Sequence, residues 1–344
     1  MKIALDAMGG DNAPLAMVEG AAQAVRELGV DVVLVGREEE IRSCLASLNL
    51  AEDEHLSIRH AAEVVEMEDD PATATRRKKD SSMTRALEMV RDGEADACVS
   101  AGSTGALLTG ATLIVKRVRG IRRAALCPVL PNGGKGVLLI DCGANAECSV
   151  EYLTQFAVMG SFYSERVLGC DRPRVALLNV GTEDTKGGAL QKETFAALTA
   201  LDAQGVIHFI GNAEGSELLS GRMDVLVTDG FSGNVLLKGL EGAIKTLFGA
   251  LKGIFYSSAK NKLAAAVIKK DLYAFKKTMD VSEIGGTALL GISRPVIKAH
   301  GNSDARAVFS AIRQAVRVVE RDVCGEIVRH ADSMKLSHSA QAES

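Results

Sequence analysis

The side chains best suited to chemistry lie where short apolar runs end. After Ile3-Ala4-Leu5 the chain reads Asp6-Ala7-Met8-Gly9-Gly10-Asp11-Asn12, and after Ala97-Cys98-Val99 it reads Ser100-Ala101-Gly102-Ser103-Thr104-Gly105-Ala106. Small residues let backbone N–H groups close on an anion, hydroxyls donate to it, and the start of a following helix carries partial positive charge. Gly9, Gly10, Asp11, Asn12, Ser103, Thr104 and Gly105 are therefore candidates to hold a phosphate, joined by Asn145 from the turn Asp141-Cys142-Gly143-Ala144-Asn145. Taken singly, each turn serves equally well as a tight bend with a helix cap. There is no GxxxxGK[ST], and Gly102 to Gly105 lacks the full GxGxxG context, so a nucleotide site gets little support.

Three further turns supply catalytic candidates. Asn179-Val180-Gly181-Thr182-Glu183-Asp184-Thr185-Lys186-Gly187-Gly188 offers Lys186 to neutralise an oxyanion or a phosphate, or merely to pair with a carboxylate in a solvated turn. Asp229-Gly230-Phe231-Ser232-Gly233-Asn234 sets the Asp229 carboxylate at a strand end and Asn234 near the next helix start, where an Asp also commonly caps. His300 follows Val296-Ile297 with Lys298 two residues before it, fit to be an acid or donor, or a structural histidine. The seven cysteines show no CxxC pair and no nucleophile-elbow GxSxG setting, and the six histidines no HExxH spacing. The reading therefore calls for neither metal nor cofactor, and for free thiols of a reducing compartment.

Continuous rather than alternating apolar runs suit strands buried on both faces, and helix-period segments between them suit parallel crossovers. Helices are predicted over 13–28, 82–91, 150–167, 189–201, 234–247 and 304–323, with Pro14 in a first turn and Ser303 or Asp304 as a cap. The expected fold is α/β, a largely parallel wound sheet whose polar turns gather along one edge. One large domain is expected over 1–330, with a basic helical excursion near 248–280 and a polar tail over 331–344.

That excursion carries seven lysines and one acid, Asp271, between 252 and 277, a local charge of +6. Ile268, Leu272, Phe275 and Met279 recur at i, i+4, i+7 and i+11. A basic amphipathic helix of this kind meets anionic lipid or an acidic protein, or packs on its own core. Lys262, Lys269 and Lys270 there, and the cluster Arg76, Arg77, Lys78 and Lys79, are the candidate docking groups. Globally the 344 residues carry a net charge of -4 with 4% aromatics, which argues against a general nucleic-acid binder. No run approaches the roughly 18 apolar residues of a membrane span, so the cytoplasm is expected.

Taken together, Leu5-Asp6-Ala7-Met8-Gly9-Gly10-Asp11-Asn12-Ala13-Pro14, Val99 through Ala106, Asp141 through Asn145, Leu178-Asn179-Val180-Gly181 with Lys186-Gly187, Asp229 through Asn234, and Val296-Ile297-Lys298-Ala299-His300-Gly301 resemble the PlsX-type phosphate acyltransferases of bacterial phospholipid synthesis. The match runs in order from residue 1 to about 325. It implies transfer of a long-chain acyl group from acyl-[acyl carrier protein] to inorganic phosphate, the acyl phosphate supplying a membrane acyltransferase of glycerol 3-phosphate. It also implies a homodimer, a three-layer α/β/α sandwich shaped like phosphate acetyltransferases and isocitrate/isopropylmalate dehydrogenases, and a cytoplasmic protein peripherally associated with the membrane. Ser103 stands where that family's turn usually has Asn, keeping a donor. On this resemblance Ser103, Thr104, Gly105 and Lys186 would hold phosphate, Lys186, Asn234 or Asn145 would stabilise the oxyanion, and Asp229 or His300 would manage the leaving thiolate's proton. The alternatives are a phosphate acetyltransferase using acyl-coenzyme A, which needs a nucleotide pocket, and an NAD(P)-dependent decarboxylating dehydrogenase, which needs a metal-binding acid cluster.

Overall fold

The computed structural model describes residues 1–278, 285–331 and Met334. Twelve strands are present among them: β1 (Lys2–Asp6), β2 (Asp31–Gly36), β3 (Leu56–His60), β4 (Ala97–Ser100), β5 (Ala125–Cys127), β6 (Val129–Leu130), β7 (Val137–Ile140), β8 (Arg174–Leu178), β9 (His208–Ala213), β10 (Val225–Val227), β11 (Thr287–Leu290) and β12 (Val296–Lys298). They divide between a seven-stranded sheet ordered β3-β2-β1-β4-β12-β11-β5 and a five-stranded sheet ordered β6-β7-β10-β8-β9. Pairing is parallel except where β11 meets β12 and β5, and where β6 meets β7. The sequence reading of a single wound edge is corrected here. Apolar runs reveal that a segment is a buried strand but not which neighbour it pairs with, and β12 returns from the far end of the chain to lie beside β4.

The period-2 alternation of the strands explains the layers. Ile3 and Leu5 of β1, with Val32 and Leu34 of β2, pack on Met17, Val18, Val308 and Ile312 from the helices Leu15–Leu28 and Ala305–Glu320. Ala4, Val33, Val35 and Cys98 point to the opposite face, onto Met83, Leu87 and Val90 of the helix Ser82–Asp92. In the second sheet Leu138, Ile140, Val175, Leu177, Val225 and Val227 join the same cluster as Ile3 and Leu5, around Phe156 and Tyr163 of the helix Val150–Arg166. One continuous core therefore backs both sheets, and each large side chain fully buried in it contributes roughly 1.5–3 kcal/mol.

Five of the six predicted helices appear within a few residues of their expected ends, and caps explain several of the starts. Ser81, Ser149, Asp229 and Asp304 each accept a backbone N–H three residues on, about 1 kcal/mol apiece. The expected basic helix is different. The helix Gly230–Tyr256 runs past the predicted 247, breaks at Ser257-Ser258, and returns as Ala259–Thr278. Asn261 Nδ2 donates to Ile254 O at 3.0 Å and Ser257 Oγ at 2.9 Å, fixing the bend, and the Phe248 and Phe275 rings meet at 6.2 Å. Leu247, Ile254, Leu263 and Val267 of this hairpin are more than half exposed, so these apolar side chains are not covered by the chain's own core. Met279, and the tail beyond Met334, lie outside the described residues.

Candidate active site

Three adjacent parallel strands end in a row. Asp6 of β1 is in register with Ser100 of β4, which is in register with Lys298 of β12, and all three are buried. Ser100 Oγ donates to Asp6 Oδ2 at 2.6 Å and accepts the Gly102 N–H at 3.1 Å. Lys298 Nζ donates to Ala101 O at 3.2 Å and to Ala299 O. Burial pushes the Asp6 carboxyl above its ordinary range, against the hydrogen bonds from Ser100, Ser82 and Met8. Burial also brings the Lys298 ammonium down to about 8, with Asp6 and Asp11 working the other way.

The turns that follow lock together over this row. A Cβ on Gly9 would lie 2.6 Å from Asp6 Oδ2 and 2.7 Å from Gly102 N, so only glycine permits the approach of the two backbones. The Asp11 N–H donates to Gly301 O at 2.7 Å, and Asn12 Nδ2 donates to Asn302 O and Ser303 O at 3.1 Å each. Gly9, Gly10, Asp11, Asn12, Ser103 and His300 thus belong to one neighbourhood. Asn12 acts there as a tie between turns. Ser103 is buried at the start of the helix Thr104–Gly110 without a side-chain cap bond, Thr104 is exposed, and Gly105 faces Pro71, whose Cβ would be 2.8 Å from an added Cβ. His300 is exposed, its Nδ1 accepting the Asn302 N–H at 3.4 Å.

The second sheet forms its own rim. Asp141, fully buried after β7, accepts at Oδ1 from the backbone N–H of Leu126 (2.8 Å), Cys142 (2.7 Å) and Ala144 (3.3 Å). Its Oδ2 accepts from the backbone N–H (2.7 Å) and side-chain amide (3.0 Å) of Asn145. Burial nevertheless raises this carboxyl. The Leu126 bond joins β5 of the first sheet to the β7 turn of the second. Asn145 Nδ2 also donates to Ala124 O at 2.8 Å and Asn145 O accepts the Gly230 N–H at 2.7 Å, so Asn145 links three segments. Asp229, considered for proton transfer, accepts from Ser232 N and Oγ at 2.8 Å each and caps the helix Gly230–Tyr256. Exposed Asn234 lies one turn into that helix, its Cβ 3.8 Å from a Cβ on Gly143.

Lys186 follows β8, which pairs with β10 and β9. Its side chain is half exposed, 4.0 Å from Glu183, while its carbonyl accepts from Asn179 Nδ2 at 3.1 Å. Lys186 and the set Ser103, Thr104 and Gly105 therefore stand on different sheets. Of the docking candidates, Arg76, Arg77, Lys79, Lys262, Lys269 and Lys270 are exposed, whereas Lys78 donates to Val64 O at 2.8 Å and pairs with Asp69 at 2.5 Å. Sequence reasoning assigns Lys298 and Ser100 no role. The available signal was a lysine inside an otherwise apolar strand, which must find partners when buried.

A family model described as "Fatty acid synthesis protein" matches residues 1–326. A phosphate acyltransferase from Bacillus cereus is 52% identical over 325 residues, 94% of this chain and 96% of the relative. One from Oceanobacillus iheyensis is 48% identical over 335 residues, 97% of this chain and 98% of the relative. Among solved structures, a phosphotransacetylase from Streptococcus pyogenes has a TM-score of 0.64 at 18% identity over 94% of each chain. A 4-hydroxythreonine-4-phosphate dehydrogenase from Klebsiella pneumoniae has 0.55 at 14%, over 93% of this chain and 99% of its own. These two likenesses show the fold, an α/β sandwich of mostly parallel strands. The chain belongs to the fatty acid synthesis protein family and, with the phosphate acyltransferases it matches over nearly all its length, is an acyltransferase.

Proposed function

We propose that this acyltransferase moves a long-chain acyl group from the thioester of an acyl-[acyl carrier protein] to inorganic phosphate, producing acyl phosphate and free carrier thiol. The observation that carries the reading is the row Asp6, Ser100, Lys298, a buried ammonium beside glycine-containing turns whose backbones nearly touch. Fixed N–H dipoles and a desolvated cation suit a small, doubly charged anion. Carbonyl oxygens hold two donors of Lys298, and the ammonium form has a third N–H to offer an anion.

Phosphate, held by Gly9, Gly10, Ser103, Thr104 and Gly105, attacks the thioester carbon. The C–O bond forms, the carbonyl oxygen takes up negative charge, and collapse breaks the C–S bond. The sulfur leaves as thiolate and takes a proton, for which His300 on the first rim is assigned. Lys186 and Asn234 on the second rim are assigned to the oxyanion, with Asp229 positioning Asn234 through its cap and Asn145 fixing the turn beside it. Phosphate is an adequate nucleophile as the dianion, so the protein's work is holding and orienting rather than deprotonating.

The lysine-rich hairpin with its exposed apolar side chains supports peripheral contact with the inner face of a membrane, where a glycerol 3-phosphate acyltransferase would consume the product, and a homodimer is part of the same reading. Among the described residues no helix is long and apolar enough to cross a membrane. The test is phosphate-dependent release of thiol from a long-chain acyl carrier, with the product trapped by hydroxylamine. Thiol release that ignores phosphate, or a missing hydroxamate, defeats the proposal, and preference for an acyl-coenzyme A donor would reassign the substrate.

A further inference from the structure

Outside both rims, one short loop concentrates charge. Between 116 and 123 the chain reads Lys116-Arg117-Val118-Arg119-Gly120-Ile121-Arg122-Arg123, five cations and no acid in eight residues of a protein whose net charge is -4. All five cationic side chains are exposed, while Val118 and Ile121 are each 4% exposed and anchor the loop in the core. Its backbone is pinned. The fully buried Gln155 amide accepts the Arg122 N–H at 2.9 Å and donates to Gly120 O at 3.0 Å. Val118 N–H donates to Gly291 O at 2.9 Å, and Ser293 N–H to Lys116 O at 2.9 Å. Arg117 reaches back to the Arg122 carbonyl, and the two arginines border a cavity of about 210 Å³ with Gly120, Ile121 and Glu151.

Like charges gathered on a rigid loop repel one another, and their compensation within the chain is slight. Among the described residues, the contact of Arg122 with Glu151 at 2.8 Å is the ion pair made by these five side chains. A surface of this kind is complete only with an external anion. Lipid is a poor match, because a membrane-binding basic surface presents apolar side chains beside its cations, and here both apolar residues of the loop turn inward. The hairpin Gly230–Tyr256 with Ala259–Thr278 has the opposite character, lysines beside exposed Leu263 and Val267. The loop also leads directly into the second rim: Arg123 is followed by Ala124, whose carbonyl accepts from Asn145, and Arg123 lies over the Tyr152 ring at 5.7 Å.

Resting on the reading that the acyl donor is a protein-bound thioester, we infer that the 116–123 loop is the docking surface for an acidic helix of that carrier. The loop brings the thioester arm to the turn that Asn145 holds. A chain of net charge -4 meets an acidic helix productively through a local basic patch, and this patch is rigid and rimmed by guanidinium groups that pair with carboxylates in a fork. The lysine-rich hairpin is then left for the membrane.

The test uses the full-length chain carrying Arg119→Glu with Arg123→Glu, and the rescue pair Arg119→Lys with Arg123→Lys. Each is measured for binding to a fluorescent acidic acyl carrier, for turnover of long-chain acyl carrier, for turnover of the same acyl group on free pantetheine, and for binding to phosphatidylglycerol vesicles. The charge-reversed pair should lose at least tenfold in carrier affinity and raise the KM for acyl carrier equally. Turnover on acyl-pantetheine should stay within twofold, and the lysine pair should restore most of the affinity. Carrier binding that survives reversal overturns the assignment, as does equal loss on both donors, or loss of vesicle binding with carrier binding intact. If wild type binds the carrier, reversal abolishes binding, and yet no acyl group moves, the surface stands and the proposed reaction falls. Absence of carrier binding by wild type defeats both.

Discussion

Lys298 Nζ donates to the Ala101 carbonyl oxygen at 3.2 Å, so the last side chain of β12 reaches the first peptide of the turn that follows β4. If that turn holds phosphate as proposed, a buried lysine attached to its mouth is a positioning element whose charge acts on the bound anion. Replacing it by methionine keeps the stem's bulk and removes the charge. Lys298→Met should lower kcat/KM for phosphate by about 100-fold, roughly 2.7 kcal/mol of transition-state stabilisation, with the KM for the acyl donor nearly unchanged. Phosphate kinetics at saturating donor decide it: a variant with wild-type phosphate KM and kcat removes Lys298 from the site.

The same residue sets a pH dependence. Its folded-state pKa lies at about 8, below the ordinary lysine value of 10.5. Below about 8 the ammonium is charged in both folded and unfolded chains, and its burial is a constant cost. Between about 8 and 10.5 the unfolded chain binds the extra proton, so this group's contribution to stability rises with pH. Binding goes the other way. The charge is lost as pH climbs through about 8, and the KM for phosphate should rise about tenfold per pH unit above it. Lys298→Arg, which keeps its proton, should move that limb upward by at least one unit; a limb that stays in place refutes the assignment.

Asp141 gives a stability prediction without an activity argument. Five N–H donors converge on its two oxygens, and one of them belongs to a strand of the other sheet. Asp141→Asn would turn an amide donor toward some of those donors and leave at least one buried N–H unpaired. The expected loss is about 2–4 kcal/mol, read as a lowered denaturation midpoint with an unchanged denaturant slope. A variant as stable as wild type would show that the junction between β5 and the β7 turn is held by other bonds.

Lys186→Ala separates function from fold. The side chain is half exposed and its carboxylate neighbour is 4.0 Å away, so its removal should change stability by less than about 0.5 kcal/mol. If Lys186 neutralises the oxyanion, turnover should fall by about 100-fold or more at unchanged melting temperature. Near-normal turnover in this variant would take Lys186 out of the mechanism.

These predictions mark where the sequence was legible. Runs such as 137–140 and 225–227 read as buried strands because both their faces are apolar, and of the two caps offered for the last long helix, Ser303 or Asp304, the structure uses Asp304. Strand partners were not legible, since β12 lies beside β4 only through long-range packing, and so six polar turns expected on one edge are divided between two sheets. The motifs that carry Gly9 and Ser103 lie in turns that meet after β1 and β4, while Asp229 follows β10 of the other sheet. The work of individual side chains was hidden because it depends on partners far along the chain: Asn12 ties to Asn302 and Ser303, and Asn145 to Ala124.

The hairpin offers the last prediction. Leu263 and Val267 are 71% and 78% exposed, one helical turn apart on the segment that carries Lys262, Lys269 and Lys270. Apolar side chains left open beside lysines gain free energy by entering the boundary of an anionic bilayer, about 25 cal/mol for each Å² withdrawn from water. Leu263→Glu with Val267→Glu should therefore reduce binding to phosphatidylglycerol vesicles by at least tenfold while acyl-carrier turnover in vesicle-free buffer persists. Flotation with vesicles and size-exclusion chromatography on the same samples separate the two surfaces this hairpin could form. Vesicle binding lost with the oligomeric state unchanged supports membrane contact. A change in oligomeric state with vesicle binding retained would instead make the hairpin a subunit interface, since its apolar face would then be covered by a second copy of the chain.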